Sequence, residues 1–338
     1  MKGVEMSVSK MTHWERVTAA VAGEAVDRVP VSLWRHFPES DRDPARLAEA
    51  CVAWQRMHDF DLVKFMPGGT YGVEDWGATS ADVGSLIGAR AVIKPGVTAA
   101  EGWPRLARLS PTEGQLGREV KALALAAEAL GGDVPILQTL FSPLTTAIKL
   151  AGDRVFADLR RRPDLLEAGL AIIAETIIGF ARACLRVGAH GVFFATQCAS
   201  YRMLNEPEHL RFGVRYDRLV LDALAGESKF TMVHFHGNDV MFGQVLQYPA
   251  NMMNWHDRRS ELDLGGAMSR FGGVLVGGLN EAVTLPKGPI EAIKQEVRNA
   301  IAQTKGRRLM IAPGCVIPIA TPESHYRAVI EAVNEMPH

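Results

Sequence analysis

The chain has 338 residues, of which 47% are hydrophobic and 22% charged, and its formal net charge is −1. This composition is typical of a globular chain with one large core or two modest ones. The near-zero net charge, with both signs interspersed, provides no electrostatic footprint for nucleic acid or an anionic membrane, and neither partner is favoured. Residues 1–10 lack the apolar core of a signal peptide, and no apolar run of about 18 residues is free of charge, so we expect a cytoplasmic protein.

Eight short segments rich in apolar and β-branched residues recur along the chain, most of them separated by one segment of helical periodicity. The predicted strands are residues 29–33, 62–65, 134–140, 191–195, 230–235, 251–255, 274–276 and 309–312. Eight strand–helix units predict an α/β fold, a closed (β/α)8 TIM barrel. A doubly wound open sheet is the alternative, but no Gly-x-Gly-x-x-Gly motif follows the first strand.

The connections between the strands carry helix signals. Residues 44–58 and 165–187 space their apolar side chains three to four apart, which gives each segment one face that can cover a sheet. Gly131 and Gly188 follow helical segments, where a left-handed cap residue is favoured. Thr321 precedes a proline and an acidic residue, which predicts that Thr321 is the N-cap of the last helix.

Residues 67–132 form a segment that is longer than one crossover between parallel strands needs, and it is rich in glycine and proline. We predict that this elaborated segment, between the second and third strands, caps the barrel mouth within a single domain of residues 1–338. Ordinary surface elaboration of a loop is equally compatible with its composition.

Two histidines and one cysteine stand at the ends of apolar strand candidates. His234 and His236 end residues 229–237 (KFTMVHFHG), and Cys315 ends residues 308–315 (RLMIAPGC). Residues i and i+2 of a strand project from the same face, so both imidazoles can reach one ion, and Cys315 can supply a third ligand. This donor set suits zinc with an open fourth position. Alternatively, the histidines satisfy backbone partners and Cys315 packs as a small hydrophobe.

The active site of a TIM barrel lies at the carboxyl ends of its strands, so the residues after each strand are the site candidates. They are Arg35, His36, Met66, Phe141, Ser142, Gln197, Cys198, His234, His236, His256, Asp257, Asn280, Glu281 and Cys315. Ligand-type residues that converge from separate strands are what a site requires. The four cysteines, at positions 51, 184, 198 and 315, have no close spacing and are expected to be reduced.

Several of these candidates have two readings. Arg35 is either a clamp for an anionic substrate group or a salt bridge at the barrel rim. His256 is a candidate general base next to an orienting carboxylate, although adjacent residues of a strand point to opposite faces. Asn280 is a further catalytic candidate. Gln197 and Cys198 are candidates for cofactor binding, with Cys198 a reserve metal ligand or simply a buried small residue.

Several motifs resemble the uroporphyrinogen decarboxylase superfamily, which includes porphyrinogen decarboxylases and zinc-dependent cobamide:thiol methyltransferases. The motifs are residues 23–31 (GEAVDRVPV), 233–238 (VHFHGN), 277–280 (GGLN), 312–318 (APGCVIP) and 321–323 (TPE). The resemblance spans nearly the whole chain. It implies a (β/α)8 barrel with its site at the carboxyl ends of the strands.

The resemblance to the decarboxylase branch is incomplete. Those enzymes hold substrate carboxylates with two arginines of the first strand, and this chain has Arg35 alone. Where their second strand carries an aspartate for the pyrrole nitrogens, this chain reads VKFMP at residues 63–67. Their substrate-contacting tyrosine aligns with Ala147, and their late histidine falls near Cys315. A porphyrinogen with many carboxylates is therefore not the expected substrate.

The methyltransferase branch binds zinc through a His-x-Cys pair after the fifth strand and a cysteine after the eighth. His234, His236 and Cys315 match these positions, with His236 in place of the family cysteine. A neutral imidazole in place of a thiolate makes the centre more positive, about +1 instead of zero. A bound thiol would lose its proton more readily, but its thiolate would attack more slowly, so the acceptor could differ from the family's usual thiol or be a water or hydroxyl group.

The resemblance therefore implies a zinc-dependent methyltransferase. Zinc at His234, His236 and Cys315 would activate a thiol acceptor. The methyl donor would be a methylated corrinoid, free or on a corrinoid protein. Arg35 would orient an anionic tail of the acceptor. One alternative is a metal-independent decarboxylase of a porphyrinogen-like or smaller carboxylated substrate. Another is a barrel that binds a tetrapyrrole or corrinoid without catalysis. No nucleic-acid or membrane partner is expected.

Overall fold

The computed structural model describes residues 10–336 of the chain. Seven parallel strands form one sheet in the order β1-β4-β5-β6-β7-β8-β9, and a separate antiparallel hairpin contains β2 and β3. The strands are β1 (Val63–Phe65), β2 (Thr79–Ala81), β3 (Ala91–Lys94), β4 (Ile136–Phe141), β5 (Gly191–Thr196), β6 (Phe230–Phe235), β7 (Met252–Trp255), β8 (Val274–Leu279) and β9 (Leu309–Pro313).

Helices connect the strands and cover the outside of the sheet. They are α1 (His13–Ala22), α2 (Pro44–His58), α3 (Gly114–Leu130), α4 (Pro143–Ala151), α5 (Arg154–Arg161), α6 (Pro163–Arg186), α7 (Glu206–Glu208), α8 (Arg215–Ala223), α9 (Phe242–Val245), α10 (Leu264–Met268), α11 (Thr284–Lys287), α12 (Ile290–Thr304) and α13 (Glu323–Asn334). A π-helical stretch, His209–Val214, joins α7 to α8, and 3-10 turns occupy Glu74–Trp76 and Ala100–Arg105.

The segment around Val31 closes the sheet into a barrel. Val31 pairs in parallel with Ile311 of β9, and Ser32 N donates to Ile311 O at 3.0 Å. On its other side, Asp61 N donates to Val31 O at 2.8 Å, next to the start of β1. The (β/α)8 barrel is thus confirmed. Residues 29–33, the first predicted strand, complete the ring between β9 and β1, next to the seven strands of the sheet. This segment forms only one bridge because Pro30 has no N–H to donate to a ladder.

An ion cluster at the amino-terminal end of the barrel holds the closing segment. Asp61 accepts hydrogen bonds from Arg16 Nη1 and Arg28 Nη1, each at 2.6 Å, and from Val31 N at 2.8 Å. Its carboxylate is fully buried. A buried carboxylate is stable only when it is paired and hydrogen-bonded. The cluster therefore accounts for two charged residues of the GEAVDRVPV motif, Arg28, which pairs with Asp61, and Asp27, which pairs with Arg16 at 2.6 Å.

Seven of the eight predicted strands agree with strands of the described residues except at their ends. Residues 29–33 form a single bridge at Val31 instead of a strand, and the β2–β3 hairpin was not predicted. α2 begins at Pro44 after the N-cap Asp43, whose side chain accepts from Arg46 N, and ends at His58 as predicted. The expected N-cap at Thr321 is wrong, because Pro322 itself has the extended backbone of the N-cap position (φ −62°, ψ 141°) and α13 starts one residue later.

The core has two parts that follow the alternation of side chains along the strands. One set of residues, including Leu137, Phe193 and Met232, fills the inside of the barrel. The other packs between the sheet and its helices. α6 is long and apolar enough to cross a membrane by length and composition alone, but half of its most apolar stretch is buried and it packs against α4, α5 and α8. It is a core helix of this barrel.

Residues 67–132 contain the β2–β3 hairpin, both 3-10 turns and α3. α3 packs against α2 and α6, so it belongs to the outer layer of helices. Ile87, Ala89 and Arg90 of the same segment line a cavity at the carboxyl end of the strands. That a cap is the role of this segment remains a prediction.

Candidate metal centre

Four side chains with metal-ligating atoms converge at the carboxyl end of the barrel. His234 lies in β6 and His236 follows it, His256 follows β7, and Cys315 follows β9. Their ligand atoms all lie within 4.8 Å of one another. The alternation of β6 brings His234 and His236 to the same face, and the parallel pairing of β6 with β7 brings His256 alongside them.

The metal-ligating atoms of this cluster lie close to one another. Cys315 Sγ lies 3.5 Å from His236 Nδ1 and 3.8 Å from His234 Nε2. His256 Nε2 lies 3.3 Å from His236 Nδ1. The four residues together form a donor set of three imidazole nitrogens and one sulfur.

Asn254 fixes the orientation of His234. The amide Nδ2 of Asn254 donates to Val276 O at 2.7 Å and to Pro313 O at 3.0 Å. Its Oδ1 is therefore the acceptor for His234 Nδ1, at 2.6 Å. With Nδ1 protonated, the lone pair of His234 Nε2 faces Cys315, which is the tautomer that a metal ligand requires.

Glu281 and Arg259 form a second layer behind His256. Glu281 Oε1 lies 2.9 Å from His256 Nδ1 and 2.5 Å from Arg259 Nη2, and these two nitrogens are 2.6 Å apart. Because an ionised carboxylate only accepts, both nitrogens donate to it. Burial opposes ionisation of Glu281, but hydrogen bonding from His256 and the charge of Arg259 keep its pKa below the usual range.

Burial sets the protonation of the cluster. It lowers the pKa of His234 well below its ordinary value and that of His236 to about 4, and it raises the pKa of the Cys315 thiol to about 11. The imidazoles of His234 and His236 are therefore neutral at physiological pH, as ligands must be, and a cation would displace the thiol proton of Cys315. Neutral nitrogens with one soft sulfur fit zinc chemistry.

A cavity of about 130 Å³ opens next to the cluster. His234, His236 and Cys315 form part of its wall, and Trp34, Phe141 and Phe193 contribute aromatic faces. Its basic lining residues are Lys64, Arg90 and Lys149, and within residues 10–336 no aspartate or glutamate lines it. Burial lowers the pKa of Lys64 to about 7 and that of Lys149 to about 8. The cavity can therefore hold a small ligand against the donor cluster in a partly apolar environment whose positive charge depends on pH.

The structure places Arg35 away from this cavity. Its guanidinium donates to Ile319 O at 3.0 Å and lies 5.2 Å from the ring centroid of Trp54 in α2. The next residue, His36, lines the cavity instead. Strand alternation explains this exchange, because neighbouring side chains point to opposite faces.

The other candidates are spread around the barrel end. Asn280 Oδ1 accepts from Ala282 N and Val283 N at 3.1 and 3.0 Å, so it shapes the turn before α11. Gln197 lines the cavity. Cys198 is fully buried, and its sulfur lies 3.5 Å from Thr145 Oγ1, outside the donor cluster.

Sequence reasoning missed Lys64, Asn254, Arg90 and Lys149. It considered residues after the strands, whereas Lys64 and Asn254 lie inside β1 and β7 with their side chains in the barrel. Alternation with Met66 and with His256 could have identified these two. Arg90 and Lys149 reach the cavity from the segment before β3 and from α4, and no local pattern signals that.

Comparisons with known proteins cover almost the whole chain. The pattern of the Uroporphyrinogen decarboxylase (URO-D) family matches residues 12–336. Methylcobamide:CoM methyltransferase MtbA of Methanosarcina acetivorans is 22% identical over 338 residues, 96% of this chain and 98% of that protein. Methylcobamide:CoM methyltransferase MtaA of Methanosarcina barkeri is 24% identical, over 97% of this chain and 99% of its own.

Among solved structures, a methyltransferase from Methanosarcina mazei superposes with a TM-score of 0.83 at 23% identity. The match covers 96% of this chain and 99% of the other. At this identity the likeness establishes the fold.

Proposed function

Since this chain belongs to the uroporphyrinogen decarboxylase family, within which it is similar to methylcobamide-dependent methyltransferases, we propose that it transfers a methyl group from a methylated corrinoid to a thiol at a zinc centre. The observation that carries the proposal is the cluster of His234, His236, His256 and Cys315 at the carboxyl end of the barrel. Such a donor set next to a cavity suits a metal that also binds substrate.

His234, His236 and Cys315 would hold the zinc, with His256 as an adjacent further donor. When bound, zinc supplies positive charge that favours a thiolate over a thiol at neutral pH. His234 presents its Nε2 lone pair because Asn254 holds the opposite nitrogen. His256 is held in the same way by Glu281. Both imidazoles are thus oriented before any ion arrives.

The transfer balances without another reactant. The acceptor thiol would release its proton to solvent, and its sulfur would supply the electron pair of the new S–C bond. The pair of the broken Co–C bond stays on cobalt, which is reduced from Co(III) to Co(I). Trp34, Phe141 and Phe193 keep much of the cavity wall apolar, which limits water around the nucleophile.

The cavity holds the acceptor, and the methyl donor must approach from the mouth. A pocket of about 130 Å³ is far below the roughly 300–1,000 Å³ of sites that enclose drug-sized ligands, and a corrinoid is larger still. We therefore place the corrinoid, free or on a corrinoid protein, outside the cavity, with its methyl group directed at the acceptor sulfur.

Metal content and activity test this function together. Protein purified without added metal or a histidine tag should contain about one zinc per chain and methylate a thiol from methylcobalamin. Cys315→Ala should lose both the metal and the activity, whereas Cys184→Ala, a change in buried α6 outside the cluster, should keep both. Protein that stays empty when zinc is supplied, or methyl transfer retained by Cys315→Ala, would refute the proposal.

A further inference from the structure

A groove on the outside of the barrel lies between α2 and α3, which pack against each other. It has a volume of about 490 Å³, and its lining includes Ala48 and Val52 of α2 and Leu125 of α3. Met57, near the end of α2, is 67% exposed. Single exposed apolar residues are common, but one beside an apolar groove indicates a surface that can bind another protein.

Charged residues along the exposed side of α2 follow a pattern that is complementary to itself. They are Arg46, Glu49, Arg56 and the C-cap Asp59, all of them exposed. Their signs read plus, minus, plus, minus from the start of the helix to its end, and minus, plus, minus, plus from the opposite end. Glu49 and Arg56 are nearly two turns apart and lie on one line along the helix. An antiparallel copy of α2 therefore presents the opposite charge at each of these positions.

A two-fold axis between Val52 and Ala53 uses this pattern. Such an axis reverses the helix direction and places each residue opposite the one that lies equally far beyond the axis. Glu49 then faces Arg56 of the partner subunit, and the same contact occurs a second time with the two subunits exchanged. The guanidinium of Arg56 donates one hydrogen bond to Ala129 O, at 2.7 Å, and keeps further N–H groups for a carboxylate.

The ends of α2 extend the match of charges. The same axis places Arg46 opposite the partner's Asp59. The Asp59 side chain lies 3.1 Å from His13 Nε2 but is 72% exposed, so it can accept from a second cation. A parallel pairing of the two helices would instead set each charge against its own kind, which opposes association.

The shape of the surface agrees with its charge. The axis brings Met57 of the partner subunit opposite Ala48, whose small side chain lines the groove together with Val52. Methionine is flexible and unbranched, so it can fill an irregular gap of this kind. Ala53, at the axis, is small and exposed, which lets the two α2 helices approach closely. Each protomer therefore supplies both a protruding side chain and a groove that receives one.

We propose that this face is the interface of a homodimer in which α2 of one protomer packs antiparallel to α2 of a second copy, with α3 of each protomer at its side. A second copy fits better than an unrelated partner, because both the charge order and the contact of Met57 with the groove are complementary to themselves. The inference does not depend on the proposed function, since α2 and α3 lie in the outer layer of helices and the metal cluster lies at the carboxyl ends of the strands.

Sedimentation velocity of the full chain, over a series of concentrations up to about 100 μM, tests the interface. Wild type should form a dimer. Glu49→Arg and Arg56→Glu should each raise the dissociation constant about tenfold or more, because each sets like charges against each other across the axis. The double variant should recover most of the wild-type affinity, since its pairs are restored with exchanged signs. Glu291→Arg, at a 73% exposed position of α12, is the matched control and should leave the dimer unchanged.

Ala53→Arg is a second test, which leaves the hydrogen bond from Arg56 to Ala129 O in place. It puts two guanidinium groups next to each other at the axis and should also weaken the dimer about tenfold or more. Circular dichroism shows that each variant is folded.

Three results would overturn the interface. One is a wild type that stays monomeric at every concentration, which would leave the groove to a different protein. Another is a dimer that Glu49→Arg, Arg56→Glu and Ala53→Arg leave unchanged, because such a dimer would use another face. The third is a double variant that dimerises no better than the two single variants, since Glu49 and Arg56 would then not pair across the axis.

Discussion

The Glu281 carboxylate accepts a hydrogen bond from Nδ1 of His256 at 2.9 Å, and the other ring nitrogen of His256 points into the donor cluster. A carboxylate behind a histidine ligand fixes the ring and increases the basicity of its free nitrogen. Through His256, Glu281, which follows β8, therefore influences the donor cluster at the ends of β6 and β9.

Glu281→Gln should weaken zinc binding about 10- to 100-fold, because the amide is a poorer acceptor for His256 and no longer neutralises Arg259. Competition with a chromogenic chelator measures the change. Glu291→Gln, at an exposed position of α12 that is 73% accessible, is the matched control and should bind zinc like wild type. Equal affinity of both variants would show that His256 is not part of the centre.

Gly314→Ala should also weaken zinc binding, through the position of the Cys315 loop. A Cβ at Gly314 would lie 2.8 Å from Glu281 Oε2 and 3.0 Å from His256 Cα, so the loop or the Glu281 side chain has to move. Gly272→Ala is the control, because no heavy atom of the described residues lies within 4 Å of the position that its Cβ would take. Zinc affinity and the melting temperature should be measured for both variants. Normal zinc affinity in folded Gly314→Ala would mean that the loop adapts without cost to the cluster.

Asp61→Asn should lower the free energy of unfolding by about 3 kcal/mol, because it leaves Arg16 and Arg28 buried or half-buried without their shared carboxylate. Urea denaturation measures this difference. Asp222→Asn removes an exposed ion pair with Arg218 and should cost less than about 1 kcal/mol. A similar loss in both variants would contradict the central role of Asp61 in closing the barrel.

The effect of Asp61 should depend on pH. Burial raises the pKa of Asp61, but the hydrogen bond from His13 and the charge of Arg28 outweigh it and hold the pKa below the usual range. A carboxyl whose pKa is lowered on folding stabilises the protein above its unfolded pKa of about 3.9, and this contribution is lost as the pH falls through the folded pKa. The difference between wild type and Asp61→Asn should therefore narrow below about pH 4. A difference in unfolding free energy that widens below about pH 4 would contradict a lowered pKa for Asp61.

The sequence predicts most of this fold because apolar strands and intervening helices are local patterns. β6 was predicted with its observed bounds, and α2 as well. The first strand was harder, since Pro30 limits it to one bridge and its partners, Ile311 and Asp61, come from distant parts of the chain. The number of strand–helix units predicted that the barrel closes, but the hydrogen bonds that close it could not be predicted.

The candidate site was predictable where its residues lie at or just after the end of a strand, as do His234, His236, His256 and Cys315. The lining of the cavity was not, because which of two neighbouring side chains points inward depends on strand register. Arg35 and His36 illustrate this dependence: one residue separates a side chain on the outer face from one in the cavity. Lys149 comes from a helix whose orientation only the assembled barrel determines.

Arg35→Met should therefore affect stability rather than ligand binding. It removes the hydrogen bond to Ile319 O and the contact with Trp54, which we expect to cost about 1–2 kcal/mol of unfolding free energy. Zinc content and methyl transfer to a thiol should stay at wild-type values, since the guanidinium does not line the cavity. Loss of methyl transfer in a stable, zinc-loaded Arg35→Met variant would return the role of anion clamp to Arg35.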